Sequence, residues 1–113
     1  MLTTRWAAAG AVEPGADYTV LAGRLPVRCR RDLPAVLEGV WRIERALVTA
    51  EGLAGHRAGV DLAELSVWTV SVWASRGQLT RFERGEIHRR VEAALRPRLL
   101  PARFAVWTCQ AAD

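Results

Sequence analysis

His88 and His56 are the two side chains of this chain that titrate near neutral pH without help, so proton-transfer chemistry is sought there first. His88 falls one residue off a helical apolar stripe made by Ile87, Val91, Ala94 and Leu95, which predicts a ring that flanks the core and borders a cavity. In that position an imidazole serves as general acid or base, or as the axial ligand of a haem; a histidine that only caps a carbonyl at a helix kink fits the same spacing. His56 sits among Gly52, Gly55 and Gly59 on no periodic face, which points to a loop or surface role. Together with Glu86 the two histidines have the composition of a two-histidine, one-carboxylate iron site, but not its tight spacing, and no metal site is expected. Cys29 and Cys109 lack CxxC or His/Cys zinc spacing and are read as two buried free thiols. A Ser/His/Asp triad, a glycine-rich phosphate loop and paired catalytic carboxylates are not recognisable.

Trp41, Trp68, Trp73 and Trp107 are large rings whose N–H groups want a partner when buried, and core packing is expected to account for most of them. Trp68 and Trp73 point to opposite faces of one strand, so only one of them can line a given side of a sheet. Arg103 shares a strand face with Ala105, Trp107 and Cys109, where its guanidinium can hold a carboxylate or phenolate bidentately. The remaining arginine clusters, Arg28 to Arg31 and Arg89 to Arg98, read as solvated faces.

The elements that position these residues follow from periodicity. Asp17 to Arg28 reads as a strand after the turn signal Glu13-Pro14-Gly15, with Pro26 near its end. Asp32 is placed to N-cap a helix over Leu33 to Val48, in which Leu33, Val36, Leu37, Val40, Leu47 and Val48 recur at helical spacing. His56 to Val60 has the length of a short strand, with Asp61 to Glu64 as its turn. Leu65 to Ala74 alternates as a strand that is apolar on both faces. Ser75 and Gln78 form a capping box, and the apolar phase slips at Gly85, so two short helices should meet there, the second being Glu86 to Arg96. Pro97 and Pro101 close it, and Ala102 to Cys109 is the last strand. The order β-α-β-β-α-β is the α+β, ferredoxin-like arrangement, with two helices on one face of a four-stranded antiparallel sheet. Strands apolar on both faces need a second cover, which predicts a homodimer enclosing a lumen. In that strand order the first and last strands are antiparallel neighbours, which puts Cys29 and Cys109 beyond disulfide reach.

A chain of 113 residues suits one domain, read as a loose N-terminus over 1–16, a ferredoxin-like domain over 17–109 and a tail over 110–113. The longest uncharged run, Leu65 to Ser75, is too short for a membrane span of roughly 20 apolar residues. The first residues are too weakly hydrophobic for a signal peptide, so a cytoplasmic location and no membrane partner are expected. All 16 basic residues are Arg, with no Lys and no Asn, and Ala and Gly are abundant. That bias resembles a GC-rich, actinobacterial-type genome, so the net charge of +4 is weak ground for nucleic-acid binding, and none is expected.

The run Thr69, Ser71, Trp73, Ser75, Leu79, Phe82, Gly85, His88, spaced Thr-x-Ser-x-Trp-x-Ser-x-x-x-Leu-x-x-Phe-x-x-Gly-x-x-His, resembles the dimeric α/β barrel superfamily over about Asp17 to Cys109. It is most similar to the spheroidene-monooxygenase-like branch and its short bacterial relatives, and more distantly to antibiotic-biosynthesis monooxygenases and haem-degrading enzymes. The resemblance implies a small monooxygenase-like enzyme acting on an apolar or aromatic secondary metabolite, either without a cofactor or at a bound haem held by His88. It places Trp73 beside His88 in the catalytic group; Phe82, Arg103 and Trp107 are the expected substrate contacts. Phe82 stands where haem-degrading relatives carry a tryptophan, and His88 comes about one turn before their iron ligand, which argues against haem degradation. The alternative is a non-catalytic, ligand-binding or stress-responsive barrel.

Overall fold

The computed structural model describes residues 2, 3, 7, 8 and 12–112. Two-residue strands β1 (Leu2–Thr3) and β2 (Ala7–Ala8) precede β3 (Asp17–Pro26), helix α1 (Leu33–Leu47), β4 (Leu53–Asp61), β5 (Ser66–Trp73), α2 (Arg76–Glu83), α3 (Glu86–Leu95) and β6 (Arg103–Gln110). The four long strands form an antiparallel sheet in the order β4-β5-β3-β6, with the helices on one face, so the fold is α+β and ferredoxin-like. The opening segment, expected to lie loose, instead supplies β1 and β2, which pair with β4 and satisfy part of that strand's outer edge. The rest of the segment up to residue 11 lies outside the described residues.

Antiparallel partners share a face, so the register sorts the side chains. His56, Ser71, Leu21 and Val106 make one row towards the helices, and Ala58, Thr69, Gly23 and Phe104 make the next. Trp68, Val70, Val72, Arg103, Ala105, Trp107 and Cys109 point the other way. Between sheet and helices, Val27, Val36, Val40, Ala58, Val67, Val91 and Leu95 form one core cluster, and Leu47, Leu53, Trp73 and Leu79 form a second. Each such side chain contributes roughly 1.5–3 kcal/mol by leaving water.

Several expectations are corrected. The short strand expected over His56 to Val60 is longer, the nine-residue β4, and His56 lies buried within it instead of on a loop or surface. Gly59 is required there because the Trp68 indole lies where its Cβ would be, 2.3 Å away. Asp32 makes no side-chain cap: a 3-10 turn (Arg30–Asp32) runs straight into α1, and the carboxylate instead accepts from the Cys29 thiol at 3.0 Å and Arg98 at 2.8 Å. Those two partners hold the Asp32 carboxyl below its usual range. Cys29 is half-buried and Cys109 exposed, because β6 is an edge strand that the helices do not cover. Cys109 pairs with Tyr18 at the start of β3 whereas Cys29 follows its end, so both stay free. Val48, Ile87 and Trp41 are exposed, the last beneath the Arg45 guanidinium at 5.0 Å. Of the four tryptophans discussed, Trp73 alone belongs to the core.

The break between α2 and α3 falls at Gly85, where a Cβ would come within 3.1 Å of the Phe82 carbonyl. The Ser75 cap is present: its hydroxyl accepts from the Gln78 backbone N–H at 3.2 Å and donates to the Gln78 side-chain oxygen at 3.0 Å. Gln78 thus closes the box on the Ser75 hydroxyl, not on the backbone N–H that a capping box ordinarily engages. Ser75→Ala is expected to cost about 1 kcal/mol in urea unfolding with an unchanged m-value.

Candidate functional site: a cavity between helices and sheet

The gap between α1, α3 and the helical face of the sheet holds a cavity of about 670 Å³. Its volume is that of a site for a small organic molecule, and aliphatic and aromatic side chains make most of its wall. It lies under the helices, on the face opposite the one that a sheet-to-sheet lumen would use.

Trp73, at the end of β5, Phe82 on α2 and His88 on α3 form a continuous row of rings along this wall. Trp73 and Phe82 centroids are 5.4 Å apart, and Phe82 meets the imidazole edge-on at 5.8 Å. Trp73 is 1% exposed, and its indole N–H donates to the Ser71 hydroxyl at 2.8 Å, so the ring has one fixed orientation. The motif residues Ser71, Trp73, Leu79, Phe82 and His88 therefore line one cavity, and Ser75 and Gly85 position the helices that deliver three of them.

The inward stripe of α3 is His88, Val91 and Leu95, while Ile87 and Ala94 face solvent. His88 thus lies on the stripe, not beside it as the apolar pattern suggested. Its Nδ1 is buried, and its one charged neighbour there is the Glu92 carboxylate at 3.7 Å, one turn along.

A second imidazole–carboxylate pair was not expected. Glu44 on α1 lines the cavity, and its carboxylate meets Nδ1 of His56 on β4 in an ion-pair contact, with both side chains at least five-sixths buried. Burial drives the Glu44 carboxyl above its ordinary value, against the opposing pull of His56. Glu44 was legible in one respect: Val36, Val40, Glu44 and Leu47 are spaced as a single inward helical stripe, so an acid stood at a core position. Because folding raises this pKa, the native chain holds the proton more tightly than the unfolded one. The stabilisation is complete below the free glutamate value of 4.5 and is lost as pH rises through the folded-state value. Thermal unfolding of wild type and Glu44→Gln across that window should show a falling stability difference in favour of wild type as pH rises; parallel curves contradict the assignment.

The structure does not bring Arg103 or Trp107 to this cavity, because both are on the other face of β6. Glu86 points outward, in contact with Arg90, so it does not converge with the two histidines. Among the described residues no group of three His, Cys, Asp or Glu side chains is placed to hold a metal ion. Among the same residues no helix is long and apolar enough to cross a membrane.

No protein-family model matches the chain, and no curated protein matches it in sequence. Solved structures match its fold. SnoaB, a cofactor-independent oxygenase from Streptomyces nogalater, is similar with a TM-score of 0.72 and 16% identity, over 86% of this chain and 97% of that one. A candidate antibiotic biosynthesis monooxygenase from Deinococcus radiodurans is similar with a TM-score of 0.76 and 12% identity, over 84% and 95%. A candidate monooxygenase from Lactobacillus acidophilus gives a TM-score of 0.73 and 6% identity over 89% of this chain, which spans only 50% of that protein. At these identities the likeness shows the fold alone, an α+β ferredoxin-like one.

Proposed function

We propose that the chain is a small monooxygenase-like enzyme that takes an apolar, aromatic metabolite into the cavity between helices and sheet and oxidises it without a cofactor. The observation that carries this reading is the row Trp73, Phe82, His88, which offers ring faces for stacking and an imidazole for proton transfer in one apolar cavity. The fold it shares with a cofactor-independent oxygenase supports it. In this reading the anionic ring, its hydroxyl proton gone, adds dioxygen at a ring carbon and the imidazole takes that carbon's proton. The carbon keeps one oxygen as a carbonyl and the other leaves as water with the two hydrogens lost, so phenol and dioxygen give quinone and water. Trp73, locked by Ser71, fixes the ring plane, and the helices keep bulk water from the anion.

A haem fits this wall poorly: three carboxylates, Glu44, Glu83 and Glu92, line it against two arginines, one of which, Arg96, is already paired with Glu92, so anionic propionates would meet little free positive charge.

The enzyme in this reading is a homodimer. Strand β6 has one unpaired edge and is exposed on both sides, with Phe104 61% and Trp107 46% accessible. A second copy laid against β6 would cover those rings and close the cavity beside Phe104, leaving Trp107 and Arg103 as contacts between subunits.

The test incubates purified, chelator-treated protein with polycyclic phenols under labelled dioxygen. Incorporation of one labelled atom, by a species with the solution mass of two chains, is the expected result. Binding without incorporation assigns the protein to non-catalytic ligand carriage instead, and a single-chain mass at high concentration removes the dimer.

A further inference from the structure

We propose that Glu44, held in place by His56, is the acceptor that binds and deprotonates an acidic hydroxyl of the aromatic ligand, so the cavity selects phenols or naphthols over their ethers. This rests on the reading of the cavity as an aromatic site and specifies which ligands it takes. Glu44 is far more enclosed than Glu92, the other carboxylate of the lining that pairs with a histidine: its side chain is 15% exposed, whereas that of Glu92 is 55%. A buried carboxylate is costly unless something offsets its charge, and the structure supplies one partner, the imidazole of His56. His56 does not line the cavity, and its strand neighbour across β5 is Ser71, whose hydroxyl is already engaged by Trp73. The pair is therefore built from two elements, and only Glu44 faces the cavity. Leu21, Leu25, Val40 and Leu47 line the same cavity and carry no polar side-chain atom.

The step is a simple transfer: the ligand O–H bond breaks, the proton passes to a Glu44 carboxylate oxygen, and the electron pair remains on the ring oxygen. It needs no oxidant. The other charged or titratable groups facing the cavity are His88 and Glu92 on α3, Glu83 at the end of α2, and Arg28 and Arg96 at the connections beside it. Of the two arginines, Arg96 is paired with Glu92 and Arg28 donates to the Leu99 carbonyl. Glu44 is a binding and proton-accepting residue, and His56 is a positioning residue that acts through it.

The experiment measures anaerobic binding of 2-naphthol and of its methyl ether by quenching of the buried Trp73. A hydrogen bond to a charged acceptor is worth about 1.5–3 kcal/mol, which predicts at least a roughly tenfold preference for the naphthol. Glu44→Gln should reduce the preference to about threefold or less while leaving the ether's affinity unchanged. The preference should fade as pH drops through the raised value of Glu44, and His56→Asn should move that limb to higher pH by removing the opposing imidazole. If Glu44→Gln does not fold, Glu44→Asp must lower the naphthol preference and spare the ether. Equal binding of both probes to wild type, or a preference that survives Glu44→Gln, overturns the proposal while leaving the aromatic cavity standing. If neither probe binds, the cavity reading fails and the acceptor role fails with it.

Discussion

Trp73→Ala is expected to cost about 3–5 kcal/mol of unfolding free energy, a large share of the roughly 5–15 kcal/mol that holds a domain of this size. The indole is 1% exposed and packs in a cluster with Leu47, Leu53 and Leu79, so truncation opens a void that β5 and α2 cannot fill by a small shift. It also removes the donor to the buried Ser71 hydroxyl. Trp73→Phe restores most of the volume and not the N–H, so it should cost clearly less, about 1–3 kcal/mol. Urea unfolding checks both. A loss below about 1 kcal/mol for the alanine variant would mean the ring is not the packed wall described above.

His88→Ala should lower kcat/KM by about 10²- to 10⁴-fold, the usual range for a positioned proton-transfer group. The imidazole side chain is 21% exposed and its ring contacts Phe82 edge-on, so a modest stability loss, about 0.5–1.5 kcal/mol, should accompany the drop. The drop should appear in kcat more than in KM, because ring stacking on Trp73 and Phe82 survives the substitution. Steady-state oxygen uptake on an accepted substrate reads this directly. Wild-type turnover in a folded His88→Ala protein would leave the imidazole as a structural brace between α2 and α3.

Much of this architecture was legible because local signals agreed with the global fold. The alternation in β5, the Ser75 cap and the break at Gly85 each have a local cause, and each falls within a residue or two of its expected place. What failed did so for identifiable reasons. Apolarity assigned Ile87 to the core in preference to His88, yet both phase with Val91 and Leu95; a cavity wall accepts an imidazole, and the outer surface of α3 tolerates an isoleucine. The glycines made β4 read too short and His56 read as a loop or surface residue, because the sequence does not show that Trp68, nine residues later, needs Gly59 bare. Trp107 and Arg103 were grouped with the site because alternation tells which residues share a face but not which face the helices cover. Glu44 and His56 lie on consecutive elements, α1 and β4, but periodicity does not show which face of β4 packs under α1, and that packing is what brings them together.

The central claim is that ligand chemistry occurs between the helices and the sheet. A crystal structure of the protein with bound 2-naphthol tests it most directly. The account predicts the naphthalene ring against Trp73 and Phe82, with its oxygen directed to Glu44. A ring seated on the opposite face of the sheet, beside Trp107 and Arg103, would contradict it.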